Sequence, residues 1–509
     1  MSSENERLGV TENYDTDVVV VGGGPVGTML AAELRLAGAA VILLERLPER
    51  SPHSKAFGLH ARSLESLDRR GLVERFRDGA RTWNNGHFAG LDVWVDFSLL
   101  DSSHGYALLS EQARTEELLE AHAVEAGADI RRRQTVTGLT QDAEGVTVSV
   151  AGPDGPYLLR ARYAVGCDGG ASLVRKAAGI GFPGTGGRVT ARLGDVRLAD
   201  RDKAPMGMER TERGLLFCVP LDDRYHRVAT FDFTPPDKAP DEALTLEELT
   251  ASMRQIWGTD LGAHDARWLS WFTDSARQAD RYREGRVLLA GDAAHIHFPV
   301  GGQGLNLGLQ DAFNLGWKLG AEIAGWAPAG LLDTYDAERR PPARQVLQNT
   351  RGQIALMNPD PDVTPLRELV ENLMRIDDAN RVIAEMLSGV AVRYEPGIEG
   401  AHPLVGGFGR DLTLQTGDGE TRVAELLRAG TGVLLDLADN PGVRAALADC
   451  PGAAGRVRHV TAKSKEEPDL AGQLIRPDGY TAWAADRNTH PDRVRTELGT
   501  ALRSWFGDN

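Results

Sequence analysis

Two glycine-rich segments, far apart in the chain, constrain its fold more than any other feature. The first is Gly22-x-Gly24-x-x-Gly27, which follows the apolar β-branched run Val18–Val21 and precedes a helical pattern over Val26–Leu36. Glycines at this spacing allow a tight turn, close approach of a phosphate and close packing of helix on strand, and the helix N-terminus faces the phosphates. The segment predicts a dinucleotide site. A glycine turn without a ligand is the alternative.

The next predicted strand supports the same interpretation. Val41–Leu44 is a buried run that ends at Glu45, about 20 residues after the glycines. A carboxylate at this position accepts hydrogen bonds from ribose hydroxyls and favours an unphosphorylated ribose, as in FAD or NAD. Strand, helix and strand together predict a βαβ unit that opens a doubly wound fold.

The second segment runs from Gly291-Asp292 to Gly301-Gly302-Gln303-Gly304-Leu305-Asn306. Gly301–Gly304 is too rich in glycine to be a packed element, and it leads into a helix predicted to begin near Leu305. A helix N-terminus carries about half a positive charge. Aimed at the N1–C2 edge of a flavin, it would stabilise the reduced anionic ring. A plain turn with a helix cap is the alternative.

Composition excludes several classes of protein. A formal net charge of −16 argues against a general nucleic-acid surface. The three cysteines, Cys167, Cys218 and Cys450, form no CxxC pair, which argues against a thiolate metal site and a flavin disulfide reductase. No apolar run reaches the roughly 20 residues of a transmembrane helix, and polar Met1–Asp15 lacks the features of a signal peptide. We expect a cytoplasmic protein without a membrane or nucleic-acid partner.

The order of predicted elements indicates three domains in an α/β protein. The Rossmann-type domain spans 14–184 and, after an insertion, 278–395. In the insertion, residues 185–277, aromatic and polar residues alternate. This alternation predicts a mostly β domain. A break containing proline and glycine at Pro396–Arg410 is expected to be a linker. It precedes a small α/β domain at 410–509.

Three motifs, in this order, resemble those of the group A FAD-dependent aromatic hydroxylases. They are Gly22–Gly27, then Cys167-Asp168-Gly169-Gly170 through Ser172 and Arg175, and then Gly291–Asn306. The surrounding runs Ser54–Ser63, Gln112–Glu116 and Leu289–His297 look closer to the actinomycete polyketide-tailoring branch, which contains tetracycline, anthracycline and angucycline hydroxylases and rifampicin monooxygenases. The resemblance covers essentially the whole chain. It implies a glutathione-reductase-like FAD domain, a β-rich substrate domain and a thioredoxin-like C-terminal domain.

The resemblance also implies a set of FAD contacts. Val26, Glu45 and Arg46 would hold the adenosine diphosphate half, and Lys55 stands where many relatives have arginine near the pyrophosphate. Gln112 would reach the flavin ring or ribityl chain, Asp292 would bind a ribityl hydroxyl, and Asp168 would serve both FAD and NADPH. Leu305 and Asn306 would present backbone to the pyrimidine edge. The complete expected set is Gly22, Gly24, Val26, Gly27, Glu45, Arg46, Lys55, Gln112, Val136, Asp168, Asp292, Gly302, Gly304, Leu305 and Asn306.

The activity implied is hydroxylation of a polycyclic aromatic polyketide in antibiotic biosynthesis, through a flavin C4a-hydroperoxide formed from O2. No second GxGxxG follows a predicted strand, so NADPH would bind only transiently. Alternatives are a Baeyer–Villiger or rifamycin-inactivating monooxygenase, and a flavin-binding scaffold without turnover. A monomer or homodimer is expected. Substrate identity and regiochemistry stay open.

Individual side chains are less informative about the function than the glycine motifs. No residue stands out as a general base, so no catalytic residue is predicted. His295-x-His297 lacks a third ligand motif, and we expect packing rather than a metal. His60 is expected to be structural, and Pro299 to line the flavin face. Aromatic and thioether side chains of the middle domain would line a flat pocket or equally pack the core; they are Met206, Phe217, Phe231, Phe233 and Trp271.

Overall fold

A computed structural model describes residues 14–54, 56–236, 242–395 and 400–508. Lys55 and part of the expected linker therefore lie outside the described residues. The strands, in chain order, are Thr16–Val21 (β1), Val41–Glu45 (β2), Gly58–Leu59 (β3), Arg81–Trp83 (β4), Asn85–Gly86 (β5), Val95–Asp96 (β6), Ala107–Leu109 (β7), Asp129–Arg132 (β8), Thr135–Gln141 (β9), Val146–Gly152 (β10), Gly155–Gly166 (β11), Gly184–Thr185 (β12), Thr190–Leu198 (β13), Gly207–Thr211 (β14), Gly214–Pro220 (β15), His226–Asp232 (β16), Ala263–Thr273 (β17), Ala276–Gln278 (β18), Arg283–Glu284 (β19), Val287–Leu289 (β20), His295–Ile296 (β21), Thr413–Thr416 (β22), Gly419–Arg422 (β23), Gly432–Asp436 (β24), Val457–Thr461 (β25), Leu470–Ile475 (β26) and Thr481–Asp486 (β27).

The α-helices form the outer layers and the connections between domains. In chain order they are Pro25–Leu36 (α1), Ala61–Asp68 (α2), Val73–Arg77 (α3), Gln112–Glu125 (α4), Leu173–Ala177 (α5), Leu246–Trp257 (α6), Gln303–Ile323 (α7), Thr334–Met357 (α8), Thr364–Met374 (α9), Asp377–Ser388 (α10), Val423–Leu426 (α11), Pro441–Asp449 (α12) and Pro491–Phe506 (α13). Within the described residues, no helix is both long enough and apolar enough to cross a bilayer.

The first domain is built on a parallel sheet ordered β20-β11-β1-β2-β8. Its central strand is the predicted apolar run, with Val18, Val19 and Val20 fully buried. Because helices cover both sides of the sheet, this strand is buried on both faces, and its sequence is therefore a continuous apolar run. β11 is long and continues into an antiparallel meander with β10 and β9. The α/β class and the Rossmann-type arrangement are confirmed.

The middle domain is an antiparallel sheet ordered β14-β15-β16-β13-β17. Side chains on the two faces of a strand alternate, and both faces are covered here. Helix α6 packs on one face, against Leu216, Cys218 and Val228. The other face, which carries Leu215 and Phe231, looks toward the segment that follows Asp292 and toward α8–α10.

The C-terminal sheet has the order β25-β24-β26-β27, in which β24 is parallel to β25 and antiparallel to β26. Helix α12 makes the crossover from β24 to β25, and α13 follows the β26–β27 hairpin. This is the thioredoxin-like arrangement that the resemblance implied. The three sheets lie within the predicted domain ranges, whose boundaries themselves stay predictions.

The C-terminal domain is docked firmly on the first. Arg70 of the α2–α3 connection pairs with Glu33 through two 2.7 Å hydrogen bonds and donates to the carbonyls of Leu427 and Pro477. The guanidinium of Arg69 lies 3.7 Å from the ring centroid of Phe408. Phe408 belongs to the expected linker, so the described part of that segment packs at the interface between domains.

Candidate functional site

The first glycine turn has the geometry that a pyrophosphate requires. Gly22 has φ +109°, and a Cβ there would lie 2.4 Å from the carbonyl oxygen of Cys167. A Cβ on Gly27 would lie 2.0 Å from the carbonyl oxygen of Gly22, so glycine permits the close packing of α1 on the strand ends. A Cβ on Gly24 would meet nothing within 4 Å, which leaves open space beside the helix N-terminus. The three glycines thus fulfil three different roles.

Glu45 lies at the end of β2, beside that turn. Its carboxylate accepts hydrogen bonds from the backbone N–H of Gly23 at 2.7 Å and of Leu47 at 2.8 Å. The side chain of the next residue, Arg46, is exposed. The N–H of Gln134 donates to the carbonyl of Glu45, so the start of β9, with Val136, lies at the same edge. This edge gathers the residues expected at the adenosine half.

The second glycine segment meets the first directly. Gly291–Ala293 forms a 3-10 turn at the end of β20, and a Cβ on Gly291 would come within 3.0 Å of Cγ2 of Val26. The side chain of Asp292, between two buried neighbours, is exposed. The turn thus presents one carboxylate next to the dinucleotide helix, where the resemblance placed a ribityl contact.

Helix α7 begins at Gln303, two residues before the predicted start at Leu305. Val300–Gly302 forms a 3-10 turn in which Gly301 and Gly302 have φ of +77° and +64°, and Gly304 lies within the first helical turn. Gln303 and Gly304 are thus already helical, and the left-handed glycines Gly301 and Gly302 lead the chain into the helix predicted near Leu305. The first N–H groups of a helix lack partners within it, so this end can bind an anionic or carbonyl group.

Asn306 has a further role that the sequence did not reveal. Its side chain accepts from the N–H of His60 at 2.8 Å and donates to the carbonyls of Gly58 and Gly302. The Nδ1 of His60 lies 2.9 Å from the carbonyl oxygen of Leu387. Since a carbonyl only accepts, Nδ1 carries the proton and Nε2 is an acceptor, 3.6 Å from where a Cβ on Gly302 would lie. Burial lowers the pKa of His60, which keeps the ring neutral.

The two histidines of His295-x-His297 have separate partners. His295 Nε2 lies 2.7 Å from Oδ2 of Asp311, and His297 Nδ1 lies 2.7 Å from the carbonyl of Phe298. Burial lowers the pKa of His297, so its ring is neutral as well. Among the described residues no cluster of three potential metal ligands exists.

Asp168 shapes a loop. Its oxygens accept from Oγ of Ser172 at 2.5 Å and from the N–H of Leu173 at 2.7 Å, which caps α5. From that helix Arg175 donates to the carbonyl oxygen of Ala293 at 2.8 Å. The second motif of the resemblance therefore contacts the Asp292 turn through Arg175. The expected FAD and NADPH contacts of Asp168 stay predictions.

Gln112 begins α4 and contacts Ala56. Its Oε1 accepts from the N–H of Ala56 at 3.2 Å and its Nε2 donates to Glu116 at 2.8 Å. The expected contact of Gln112 with the flavin ring or ribityl chain, and that of Lys55 with the pyrophosphate, remain predictions.

The middle sheet turns an aromatic face toward the flavin-side loop. Directly paired residues share a face, and two cross-strand rows, two residues apart, carry Met208, Phe217, Ala229 and Leu193, and then Leu215, Phe231, Ala191 and Phe272. Phe298, which precedes exposed Pro299, has its ring centroid 5.6 Å from that of Phe231 and 5.5 Å from that of Phe272. Trp271 lies on the opposite face with α6, and Met206 is 74% exposed, so neither belongs to this surface.

Sequence reasoning missed the residues that hold the Asp292 turn in place. Asp311, on α7, is fully buried and accepts from the N–H of Gly291 at 3.1 Å, from His295 and, at 2.8 Å, from Nε of Arg339. The available signal is a carboxylate in a helix rich in Leu, Gly and Ala, since charges are rarely buried unless paired.

These features fit FAD. Glu45 would bind a ribose, the open space at Gly24 the pyrophosphate, the exposed carboxylate of Asp292 the ribityl chain and the α7 N-terminus the flavin ring, which is the order of these groups along FAD. Both glycine segments face one another across Val26. The site is thus that of a flavoprotein with a Rossmann-type domain.

Comparison with known proteins gives the same answer. The chain matches the family described as FAD binding domain over residues 15–350 and the family described as aromatic-ring hydroxylase, C-terminal over residues 402–509. The 12-dehydrotetracycline 5-monooxygenase/anhydrotetracycline 6-monooxygenase of Streptomyces rimosus is 48% identical over 509 residues, covering 96% of this chain and 99% of that protein. The rifampicin monooxygenase of Streptomyces venezuelae is 46% identical over 499 residues, covering 96% and 98%.

Among solved structures, the anhydrotetracycline hydroxylase from Streptomyces rimosus superimposes with a TM-score of 0.90 at 47% identity, covering 97% of this chain and 99% of that one. The chain belongs to the FAD-dependent aromatic-ring hydroxylases, as the motifs predicted. It is an FAD-dependent monooxygenase, similar to monooxygenases named for anhydrotetracycline and for rifampicin.

Proposed function

We propose that this monooxygenase hydroxylates a planar polycyclic phenol of the aromatic polyketide type, using O2 and a transiently bound NADPH. The single observation that carries the substrate class is the aromatic face of the middle sheet. Phe217 and Phe233 are partly exposed on that face, beside buried Phe231 and Phe298. Aromatic rings in offset or edge-to-face contact favour a flat aromatic ligand.

The protein's own contribution is binding and orientation. Gly22, Gly24 and the N-terminus of α1 would hold the pyrophosphate, Glu45 a ribose, Asp292 the ribityl chain and the α7 N-terminus the ring. When bound, FAD supplies the redox chemistry that activates O2. The aromatic wall would align the substrate carbon and exclude water. Neutral His60 and His297 place acceptor nitrogens rather than positive charge near the loop.

A transient donor is supported by the topology. The parallel sheet has one strand–glycine–helix crossover with the dinucleotide geometry, at β1 and α1, and the sequence contains no second such fingerprint after a strand. Since the sequence offers NADPH no dinucleotide-binding motif of its own, NADPH would bind, reduce the flavin and dissociate. NADPH rather than NADH is part of the proposal.

The test begins with purified protein, whose yellow colour reports bound FAD. Anaerobic mixing with NADPH, with and without anhydrotetracycline, follows the loss of flavin absorbance, and aerobic turnover is followed by mass spectrometry for a product that gains one oxygen atom. Substrate-stimulated reduction with an oxygenated product supports the proposal. Absence of flavin reduction by either nicotinamide cofactor, with any polycyclic phenol tried, would identify a scaffold and overturn it.

A second candidate comes from the rifampicin monooxygenase at 46% identity. The same incubation with rifampicin in place of the tetracycline precursor separates the two. Both oxidations add one oxygen atom, so the product is examined by NMR. A ring-opened or ester product indicates Baeyer–Villiger chemistry, whereas a new phenolic carbon indicates hydroxylation.

A further inference from the structure

The Asp292 turn (Gly291–Ala293) is held by the carboxylate of Asp311, a fully buried side chain. Asp311 and Arg339 are both fully buried, and Arg339 Nε donates to Asp311 Oδ1 at 2.8 Å. The other carboxylate oxygen, Oδ2, accepts from the N–H of Gly291 and from Nε2 of His295. These two donors stand on either side of Asp292. Asp311 therefore holds the first residue of the Gly291–Ala293 turn and the strand residue two positions after it.

A salt bridge that merely neutralised a buried arginine would not need this geometry. Burying a carboxylate costs several kcal/mol unless its oxygens are well satisfied. Here one donor is the N–H of Gly291, the first residue of the turn, and another is the side chain of His295, two residues beyond it. Arg175 holds the intervening carbonyl, that of Ala293, from the other side.

The same network continues to the C-terminal domain. Arg339 donates from NH1 to the hydroxyl of Tyr394 at 3.1 Å, and Tyr394 stacks on Tyr480 with ring centroids 4.0 Å apart. Asn314, on α7 one turn beyond Asp311, donates to the same hydroxyl at 3.3 Å and to Asp478 at 3.2 Å. Tyr480 and Asp478 lie in the β26–β27 turn. The chain of contacts from the flavin-facing turn to the C-terminal domain is continuous and buried.

We propose that Asp311 is a positioning residue for Asp292, and that the C-terminal domain sets FAD affinity by holding Arg339 through Tyr394. Ordering the turn in advance lowers the entropy that FAD binding must overcome. The inference rests on the FAD site and is independent of the substrate. It also assigns a role to the C-terminal domain, whose thioredoxin-like fold carries no CxxC redox motif.

The experiment titrates FAD into the full-length apoprotein and measures the Kd by flavin fluorescence, together with the Tm of the apo and FAD-saturated forms. Asp311→Asn should raise the Kd about tenfold, the effect of losing one charge-assisted hydrogen bond. Tyr394→Phe, which keeps the stacking and loses the hydroxyl, should raise it about threefold. In both variants the Tm gain on adding FAD should shrink, because that gain depends on the Kd.

The matched control is Glu33→Gln. Glu33 is a buried carboxylate paired with Arg70, which also contacts the C-terminal domain but not the Asp292 turn. It should lower the Tm of both forms alike and leave the Kd within about twofold of the wild type. If Asp311→Asn does not fold, Arg339→Lys replaces it, because lysine keeps the charge but cannot span Asp311, Tyr394 and Leu307 at once.

A wild-type Kd in Asp311→Asn (or, in its place, Arg339→Lys) with equal loss of apo and FAD-bound Tm would show a purely structural role and overturn the positioning of Asp292. A wild-type Kd in Tyr394→Phe would overturn the part played by the C-terminal domain. Neither readout uses NADPH or substrate. A protein that binds FAD but oxidises no phenol would refute the proposed function and leave this inference standing.

Discussion

Cγ2 of Val26 lies against Gly291, so that a Cβ on Gly291 would approach it to 3.0 Å. Gly308 of α7 faces the same methyl group, at 2.5 Å from its own hypothetical Cβ. One valine at the start of the dinucleotide helix therefore packs against both the Asp292 turn and helix α7. Glycine at positions 291 and 308 allows this close approach of the two motifs.

Gly308→Ala should consequently destabilise the protein. The added methyl group would overlap the side chain of Val26. Overpacking of this kind in a protein interior costs about 1–3 kcal/mol. Gly352→Ala is the control, since a Cβ on that exposed residue within α8 would meet nothing within 4 Å. It should stabilise by about 0.5–1 kcal/mol. Thermal unfolding measures both, and a Tm for Gly308→Ala equal to that of the wild type would contradict the packing argument.

Asp292→Ala should lose flavin. Its exposed carboxylate is expected to bind a ribityl hydroxyl, and loss of a hydrogen bond to a charged group weakens binding by about tenfold. The ratio of flavin to protein absorbance after purification, and the Kd for added FAD, provide the measurement. Asp418→Ala, in the exposed β22–β23 turn, should retain full occupancy. Full FAD occupancy in Asp292→Ala would refute the assigned contact.

Phe217→Ala should weaken binding of the aromatic substrate and spare the cofactor. Phe217 is partly exposed on the face that Phe298 joins, and removing an aromatic contact of this size costs about tenfold in affinity. Trp271→Phe, on the opposite face, should leave substrate binding unchanged. The Kd of anhydrotetracycline for the FAD-bound protein is measured by the perturbation of the flavin spectrum. Equal losses in both variants would mean that the sheet does not present a one-sided surface.

Lowering the pH should weaken the contact between Asp68 of the first domain and Arg422 of the C-terminal domain. Burial raises the pKa of Asp68, but hydrogen bonds from His104 and from Arg422 of the C-terminal domain outweigh it and hold that pKa at about 2. A carboxyl group whose pKa is depressed on folding stabilises the protein above its usual pKa of 3.8, and this contribution is lost as the pH falls toward 2.

Asp68→Asn should therefore lower the Tm at neutral pH, and the difference from the wild type should shrink between pH 3.8 and 2. Circular dichroism melts across that range measure the difference. Asp418→Asn, whose side chain is exposed, should show none at any pH. A difference for Asp68→Asn that stays constant with pH would contradict the assigned ionisation.

Much of the fold was predictable because its signals are local. The buried run at β1, the glycine turn and the carboxylate of Glu45 are properties of consecutive residues, and the structure reproduces each of them. Helix α7 begins at Gln303, two residues before Leu305, because the left-handed glycines Gly301 and Gly302 carry the chain directly into it.

The aromatic surface could be predicted only in part. Alternation along β15, β16 and β17 places Phe217 and Phe231 on one face and Trp271 on the other, but only when the register between strands is known. Register depends on pairing across the sheet, so single-strand patterns could not separate these residues. Met206 lies just outside the sheet and is exposed.

The sequence by itself determined that the chain binds a dinucleotide, because glycines at fixed spacing and a carboxylate at a strand end encode such binding in a few residues. The hydroxylase activity followed from the resemblance of three motifs to a known family. Only the tertiary structure decided what holds Asp292. Asp311, Arg339 and Tyr394 are remote from that turn or from one another in sequence, and Arg339 joins the other two by hydrogen bonds. A buried charge obtains its partners from packing, and packing joins residues that no local pattern relates.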